Sequence, residues 1–529
     1  MKILCYSPYV AWQIHAAWET TILQALQFDG ADIDYVLCDG ALPACDLDWP
    51  GDPRTPSKCN RCQKQQAGFA GGQPVRFQWF GRYQRPEDEA EARAWLESLP
   101  GDGLMEATYQ GYPIGEWVRS STHQHFRINR LDLDNDYVRR IFRDFLLAGV
   151  MTVKGFGRLL DASRPDLLLV LNGHRSTLRV ARELARERGI RTLVHERGLH
   201  HRQTVSLVEN DHCNSRTLYP ALWQAWGEVP LTRAEIEAAT GYMENRAHGR
   251  LLNWRQFSPA PTGAATIYRT LDLDPLRPVW AMYPASADEL VGIADFGDVA
   301  GMQVAWIEHT MRFAAAHPEI QLVIRTHPNL DPASIPNKEF SAPIPANRDE
   351  LAYFTELRQR LPANVRMIMP GDAVSSYDLC DAATVGMVFS STMGLEMACR
   401  GINVVLADGG MWQGLPFMHQ AAAPSDCREV YERMLKLKPQ TRSAAVQRSA
   451  LRFAYALVYR WLLHMPLVEM PTPYSGKLAF TAPEDLARGK DPALDRIRRI
   501  VFDGESVIPR PDAGHLVRTD AEERAWFGI

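Results

Sequence analysis

The stretch TVGMVFSSTMGLEMACRGINVVLADGG, residues 384–410, decides the fold. It opens on a short apolar run, 384–389, bounded by polar residues, which is the pattern of a buried parallel strand. Ser390, Ser391 and Thr392 then supply three hydroxyls where a strand would hand over to a helix. Residues 393–400 read as that helix, with one hydroxyl as N-cap. Gly401 suits the C′ stop, and 403–407 read as the next strand. A helix start carries unpaired N–H groups and a positive dipole end, so this turn can receive a phosphate. Glu396, one turn in, is placed to accept from a ribose hydroxyl. The alternative is that the three hydroxyls only cap a helix.

Upstream lies QLVIRTHP, residues 321–328. Its apolar positions end in Arg325, Thr326, His327 and Pro328, which puts a cation and an imidazole at the carboxyl end of a predicted strand. In open α/β sheets that edge is where ligands bind. His327 reads there as a donor contact or as a core histidine satisfied by backbone.

The two stretches together resemble the C-terminal half of a GT-B glycosyltransferase, and more narrowly the bacterial capsule-polysaccharide group of Kdo transferases and polysialyltransferases. That family carries a His-Pro motif and a serine motif serving a CMP-sugar donor; here they fall on His327-Pro328 and Ser390-Ser391. The resemblance implies an α/β protein with two Rossmann-like domains facing across a cleft, and a donor held by Arg325, His327, Ser390, Ser391, Thr392 and Glu396. It implies transfer of a CMP-activated ulosonic acid, of Kdo or sialic-acid type, to a surface glycan or glycolipid. The leaving group would be one phosphate monoester, neutralised without a catalytic metal by a protonated His327, the hydroxyls and the helix start. Arg325 would pair with the donor carboxylate or with a neighbouring acid.

Length and composition agree with this and bound the alternatives. A chain of 529 residues is too long for one ordinary core, so two domains are expected. A net charge of −5 argues against a nucleic-acid partner bound through global positive charge. The N-terminus lacks a signal-peptide pattern, and no run reaches the eighteen or so apolar residues of a membrane helix. Residues 455–470 come nearest and are interrupted by Arg460 and His464. A cytoplasmic protein is expected, with peripheral contact at the inner face of the inner membrane left open.

The first half opens with a predicted strand at 2–6, a helix at about 11–28 and a strand at 33–37, a βαβ start without a GxGxxG fingerprint. His15 and Glu19 share a helix face near the ligand edge, as a surface pair or as an acceptor contact. Cys38, Cys45, Cys59 and Cys62 follow within 25 positions, in a Pro-, Gly- and Asp-rich segment with little helix or strand pattern. They read as four reduced thiols or as the ligands of one structural zinc ion. A strand at 166–171 ends in Asn172, Gly173 and His174, further acceptor-side candidates. A strand at 191–194 ends in His195, Glu196, Arg197 and Gly198. By resemblance to the short acidic motif of polysialyltransferases, which ends in glycine, Glu196 is the general base, with Arg197 where that motif has a second acid. The alternative is a salt bridge to Arg197 or Arg202, and Asp39 is the rival base.

The expected domains are 1–252 for the acceptor, with the cysteine insertion at 38–62, a linker at 253–275, 276–480 for the nucleotide sugar, and a helical tail at 481–529. Residues 331–350 read as a surface insertion, and 442–464 as one long helix. Two other enzyme readings remain, a CDP-glycerol glycerophosphotransferase and a UDP- or GDP-sugar transferase. From another class comes a non-catalytic nucleotide- or glycan-binding scaffold of an export assembly.

Overall fold

A computed structural model describes the whole chain except residues 9–11, 51, 72–74, 199–202, 251–257, 335–345, 408–409, 421–426 and 473–474. The strands are β1 (Lys2–Ser7), β2 (Asp32–Leu37), β3 (Phe77–Trp79), β4 (Leu167–Leu171), β5 (Arg191–Arg197), β6 (Thr204–Glu209), β7 (Val279–Tyr283), β8 (Gln321–Arg325), β9 (Val365–Ile368), β10 (Val385–Val388), β11 (Asn403–Leu406), β12 (His419–Gln420) and β13 (Leu463–His464). They form two sheets. The second runs β12-β11-β10-β7-β8-β9, parallel throughout. Counted from β7 this is the 3-2-1-4-5-6 order of dinucleotide-binding folds. The first runs β13-β6-β5-β4-β1-β2-β3 and repeats that order, with β6 antiparallel to β5 and β13 antiparallel to β6. The chain is thus α/β with two Rossmann-like domains, the GT-B arrangement.

The central strands are apolar along their length because both faces are covered. LLLVL in β4 and VWAMY in β7 are buried at every position. The 384–410 stretch sits at the middle of the second sheet, with Val385 opposite Trp280 on one side and Asn403 on the other. Its helix is shorter than expected, Met393–Ala398. It lies so close to the sheet that a Cβ on Gly386 would stand 2.6 Å from the end of the Met397 side chain, which would have to move to admit it. Gly401, at φ +75°, makes the left-handed stop.

Other expectations change. The expected long helix at 442–464 is α-helical over Ala444–Tyr455, becomes a π-helix over Ala456–Trp461 and then gives way to β13. Leu463, Met465, Val468, Leu494, Ile497 and Ile500 pack into the same core as Ile3, Trp18, Leu169 and Val205. The chain therefore crosses back to the first domain before residue 480. Within 331–350, Asn347 and Glu350 are buried, and Asn347 caps the helix Arg348–Arg358 by accepting from the Glu350 amide, so this end is interior; 335–345 lie outside the described residues. The linker holds a short helix, Ala264–Thr270, and its first five positions are likewise outside the description. Pattern reading missed β3, β6 and the helices Ile114–Phe126 and Leu218–Trp226.

The domains dock near their carboxyl edges. Arg127, which follows the helix Ile114–Phe126, donates to Asp288 (2.9 Å), to Ser286 Oγ (3.1 Å) and to the Asn329 carbonyl (2.7 Å). Asn129 donates to Glu350 at 2.8 Å. A Cβ on Gly292 would meet the Ser120 amide nitrogen at 2.7 Å, so the two backbones touch there. Trp412 stacks on Tyr219 with ring centroids 5.0 Å apart.

Candidate active site between the two sheets

Glu196 sits one residue from the end of β5, which runs three residues beyond its expected end at 194 because β6 pairs with it there, Glu196 opposite Ser206. Its side chain keeps 21% of its surface exposed. Asn172 Nδ2 donates to Oε2 at 2.9 Å, and the Arg197 amide donates to Oε1 at 2.8 Å. His15 Nε2 stands 3.5 Å from the same Oε1. Burial, followed by the charges of His195, Arg197 and Arg175, holds His15 well below the usual imidazole range, so it is neutral. Asn172 is fixed in a left-handed conformation at φ +63°, which Asn tolerates better than most residues. Its amide donates to the His195 carbonyl and its carbonyl accepts from the Cys213 amide, both at 2.9 Å. His15, Asn172 and Glu196 therefore form one constellation.

His15 and Glu19 are not a surface pair; both are buried. Glu19 instead accepts from Tyr35 at 3.0 Å and contacts His195 Nε2 at 2.9 Å, an interior network below the site. His174 is buried behind Asn172, near His212. Nδ1 of His15, of His174 and of His195 has no partner among the described residues. Asp39, the rival base, is committed elsewhere: both its oxygens accept from the Gly81 amide at 3.1 Å.

The cysteine segment is not all loop. Cys59 and Cys62 lie on the helix Pro56–Gly71, one turn apart, and with Cys38 and Cys45 they line one cavity of about 50 Å³. Burial pushes the Cys38 thiol up to about 12. Next to Cys45, Asp46 accepts from Ser176 Oγ at 3.2 Å and faces Arg175 at 3.8 Å. The Arg175 guanidinium lies over Trp12, whose ring adjoins His15. The cysteine segment is thereby tied to the Glu196 constellation.

In the second domain, His327 caps the turn Pro328–Leu330, its Nδ1 accepting from the Asn329 amide at 3.1 Å. Nδ1 is an acceptor, so the proton sits on Nε2. The expected protonated imidazole is corrected: burial, then the Arg127 charge, push His327 down to about 4. It is a neutral N–H donor. Arg325 is buried, donating to the Met369 carbonyl at 2.7 Å, with Ser376 Oγ 3.5 Å from Nε, and has no ion-pair partner among the described residues. Ser390 Oγ accepts from the Met411 amide (3.1 Å) and Ser391 Oγ from the Met393 amide (3.3 Å). Thr392 donates to Glu396 at 3.1 Å. Glu396 is engaged within the protein: Arg246 Nε donates to Oε1 at 2.9 Å and Tyr377 to Oε2 at 2.8 Å. Arg246 comes from the end of the helix Arg233–Ala247, and no local spacing announced it. The Arg127–Asp288 pair was missed for the same reason.

A cavity of about 220 Å³ opens beside His174 at the domain boundary, lined by Arg179, Arg182, His212 and, from the second domain, Asp295. Asp211, His212 and Asp295 there form a cluster with ligand atoms within 4.8 Å of one another. His212 Nδ1 accepts from the Asn214 amide, so Nε2 carries the proton that it gives to Asp295 at 3.1 Å. That is the wrong tautomer for a metal ligand. Among the described residues no helix is long and apolar enough to cross a membrane.

No protein-family model and no curated protein matches the chain. Solved structures do. One is the KpsC beta-Kdo 2,4 transferase of Thermosulfurimonas dismutans, 16% identical, covering 60% of this chain and 86% of its own, with a TM-score of 0.36. The KpsC beta-Kdo 2,7 transferase of that organism is 11% identical, covering 66% and 89%, with a TM-score of 0.33. The UDP-GlcNAc 2-epimerase of Methanocaldococcus jannaschii, in complex with UDP-GlcNAc and UDP, is 11% identical, covering 87% and 100%, at 0.28. TM-scores this low carry no argument about chemistry.

Proposed function

We propose that the protein is a nucleotide-sugar-dependent glycosyltransferase, with Glu196 as the general base and a CMP-activated ulosonic acid as the donor. The observation that carries this is the Glu196 constellation. It is a carboxylate at the carboxyl edge of a Rossmann-like sheet, part exposed, oriented by Asn172 and flanked by a neutral His15. A carboxylate so held can take the proton of an acceptor hydroxyl as that oxygen attacks the anomeric carbon.

The donor phosphate would lie across the cleft at the carboxyl edge of the second sheet. His327 would give it a hydrogen bond from Nε2–H, and the hydroxyls of Ser390 and Ser391, whose oxygens already accept from backbone, would turn their protons toward it. Glu396, held by Arg246, would serve the shape of that turn rather than the ribose. Glycan or glycolipid acceptors and a place at the cytoplasmic face of a membrane belong to the same reading.

The test is a donor screen with purified protein. CMP release from CMP-Kdo or CMP-sialic acid, stimulated by an oligosaccharide acceptor, is the expected result. Release of CMP from CDP-glycerol alone would move the assignment to phosphoryl transfer, and turnover only with UDP- or GDP-sugars would overturn the donor. Nucleotide binding with no turnover of any donor would make the chain a scaffold.

A further inference from the structure

We infer that Cys38, Cys45, Cys59 and Cys62 form a tetrathiolate site for one zinc ion, which fixes the 38–62 segment against the first sheet. Three observations carry this, and none depends on the glycosyltransferase reading. First, side chains from a strand end, a loop and one helical turn converge on a single small cavity. Cys59 and Cys62, three positions apart on a helix, present two sulfurs on one face, as a Cys-x2-Cys pair does at closed zinc sites.

Second, every one of the four sulfurs accepts an N–H. The Gly40 amide donates to Cys38 Sγ (3.3 Å) and the Leu47 amide to Cys45 Sγ (3.5 Å), each from two residues further on. Arg54 Nε donates to Cys59 Sγ (3.2 Å) and Gln66 Nε2 to Cys62 Sγ (3.6 Å). A neutral thiol gains little from such donors. A thiolate bound to a metal is stabilised by them, and they orient it.

Third, cations face the sulfurs. Four thiolates around a divalent ion carry −2, and Arg54 and Lys58 line the cavity with one carboxylate, Asp48, while Lys58 also pairs with Asp52 at 2.9 Å. Arg54 also donates to the Gly40 carbonyl at 2.6 Å and to the Leu42 carbonyl, so the cation is built into the loop that holds two of the sulfurs. The sulfurs stand wider than a filled site requires, since no three of them lie mutually within 4.8 Å. A filled site would require the sulfurs to draw in to about 2.3 Å from the ion.

The experiment uses the full chain, purified without added metal. Elemental analysis should find about one zinc per chain. Replacement by cobalt(II) should give the red-region bands of a tetrahedral site and a sulfur-to-cobalt charge-transfer band. Cys59→Ser and Cys45→Ser should each lose the charge-transfer intensity. Arg54→Met, which leaves all four ligands, should weaken cobalt binding by roughly 10–100-fold. Chelation should raise amide exchange across 38–62 and at Ser176, through Asp46. If the cysteine variants do not fold, the cobalt titration of the unaltered protein decides. Absence of both zinc and the charge-transfer band overturns the site, as does a disulfide within the set. An iron–sulfide chromophore overturns the metal.

Discussion

Replacing Glu196 by Gln separates the chemical from the structural role of this side chain. Both carboxylate oxygens accept an N–H, one from Asn172 and one from the Arg197 backbone. Glutamine offers a single carbonyl oxygen, so its amide group must face one of those donors. The Asn172 amide cannot rotate to compensate at no cost, because its Oδ1 accepts from the His174 amide at 3.3 Å. One part-exposed donor is left unsatisfied, which costs about 1 kcal/mol, the low end for such a group. Loss of a general base costs about two to four decades in rate, or about 3–5 kcal/mol of transition-state stabilisation. The catalytic loss therefore outruns the structural one. In steady-state transfer assays on the best donor–acceptor pair from the screen, kcat should fall by that factor. Donor affinity measured by calorimetry should stay within about threefold, since the change lies on the acceptor side. Raising the pH should not restore the rate. A Glu196→Gln enzyme with wild-type kcat would refute the assignment and turn attention to His174.

The other predictions concern the second domain and the folded state as a whole. His327→Ala should lower kcat by about two decades, because a neutral hydrogen-bond donor is removed from the leaving phosphate, while the denaturant midpoint moves little; near-normal transfer would remove His327 from the donor site. Arg246→Met leaves Glu396 buried with only hydroxyl donors, at a cost of about 3 kcal/mol read from urea unfolding. The double variant Arg246→Met/Glu396→Gln should recover most of that; strictly additive losses would refute the pairing. Stability should also fall with acid. His123, His125 and His327 are each pushed down to about 4, so the unfolded chain binds protons that the folded protein refuses as the pH drops below the ordinary 6.5. Each should cost roughly 1 kcal/mol at pH 5.5, and unfolding midpoints that are equal at pH 7.5 and 5.5 would contradict their buried, neutral state.

The parts of this architecture legible in the sequence were those written in consecutive residues. The 384–410 unit, β8 and β4 are short apolar runs ended by turn residues, and their periods survive in the structure. Glu196, Asn172 and His15 were each legible as strand-end or helix-face residues, but their convergence depends on the order of β1, β4 and β5, which no local pattern encodes. The same holds for Arg246 and Glu396, 150 positions apart, and for Arg127 and Asp288. β6 escaped notice because its antiparallel pairing lets polar Ser206 alternate with valine and leucine. The helix under Cys59 and Cys62 escaped because KCNRCQKQQ has almost no apolar stripe; a surface helix packed by thiols looks like a loop. The charge state of His327 is not legible in the sequence because it depends on burial and on the distant Arg127, not on its neighbours in the chain.

The return of the chain to the first sheet imposes an order on synthesis. β6 ends at Glu209, yet its outer edge is covered by β13, and the helix Pro492–Phe502 completes the core beneath β1. At about 5–20 residues per second, the ribosome needs roughly 15 to 60 s to pass from one to the other. During that interval the nascent first domain carries an open strand edge and an uncapped apolar face, while the second domain, whose sheet draws on residues 279–420, gains all its strands before β13 is made. The half made first is thus the half finished last, and its solubility during translation rests on whatever shields the β6 edge until the tail arrives.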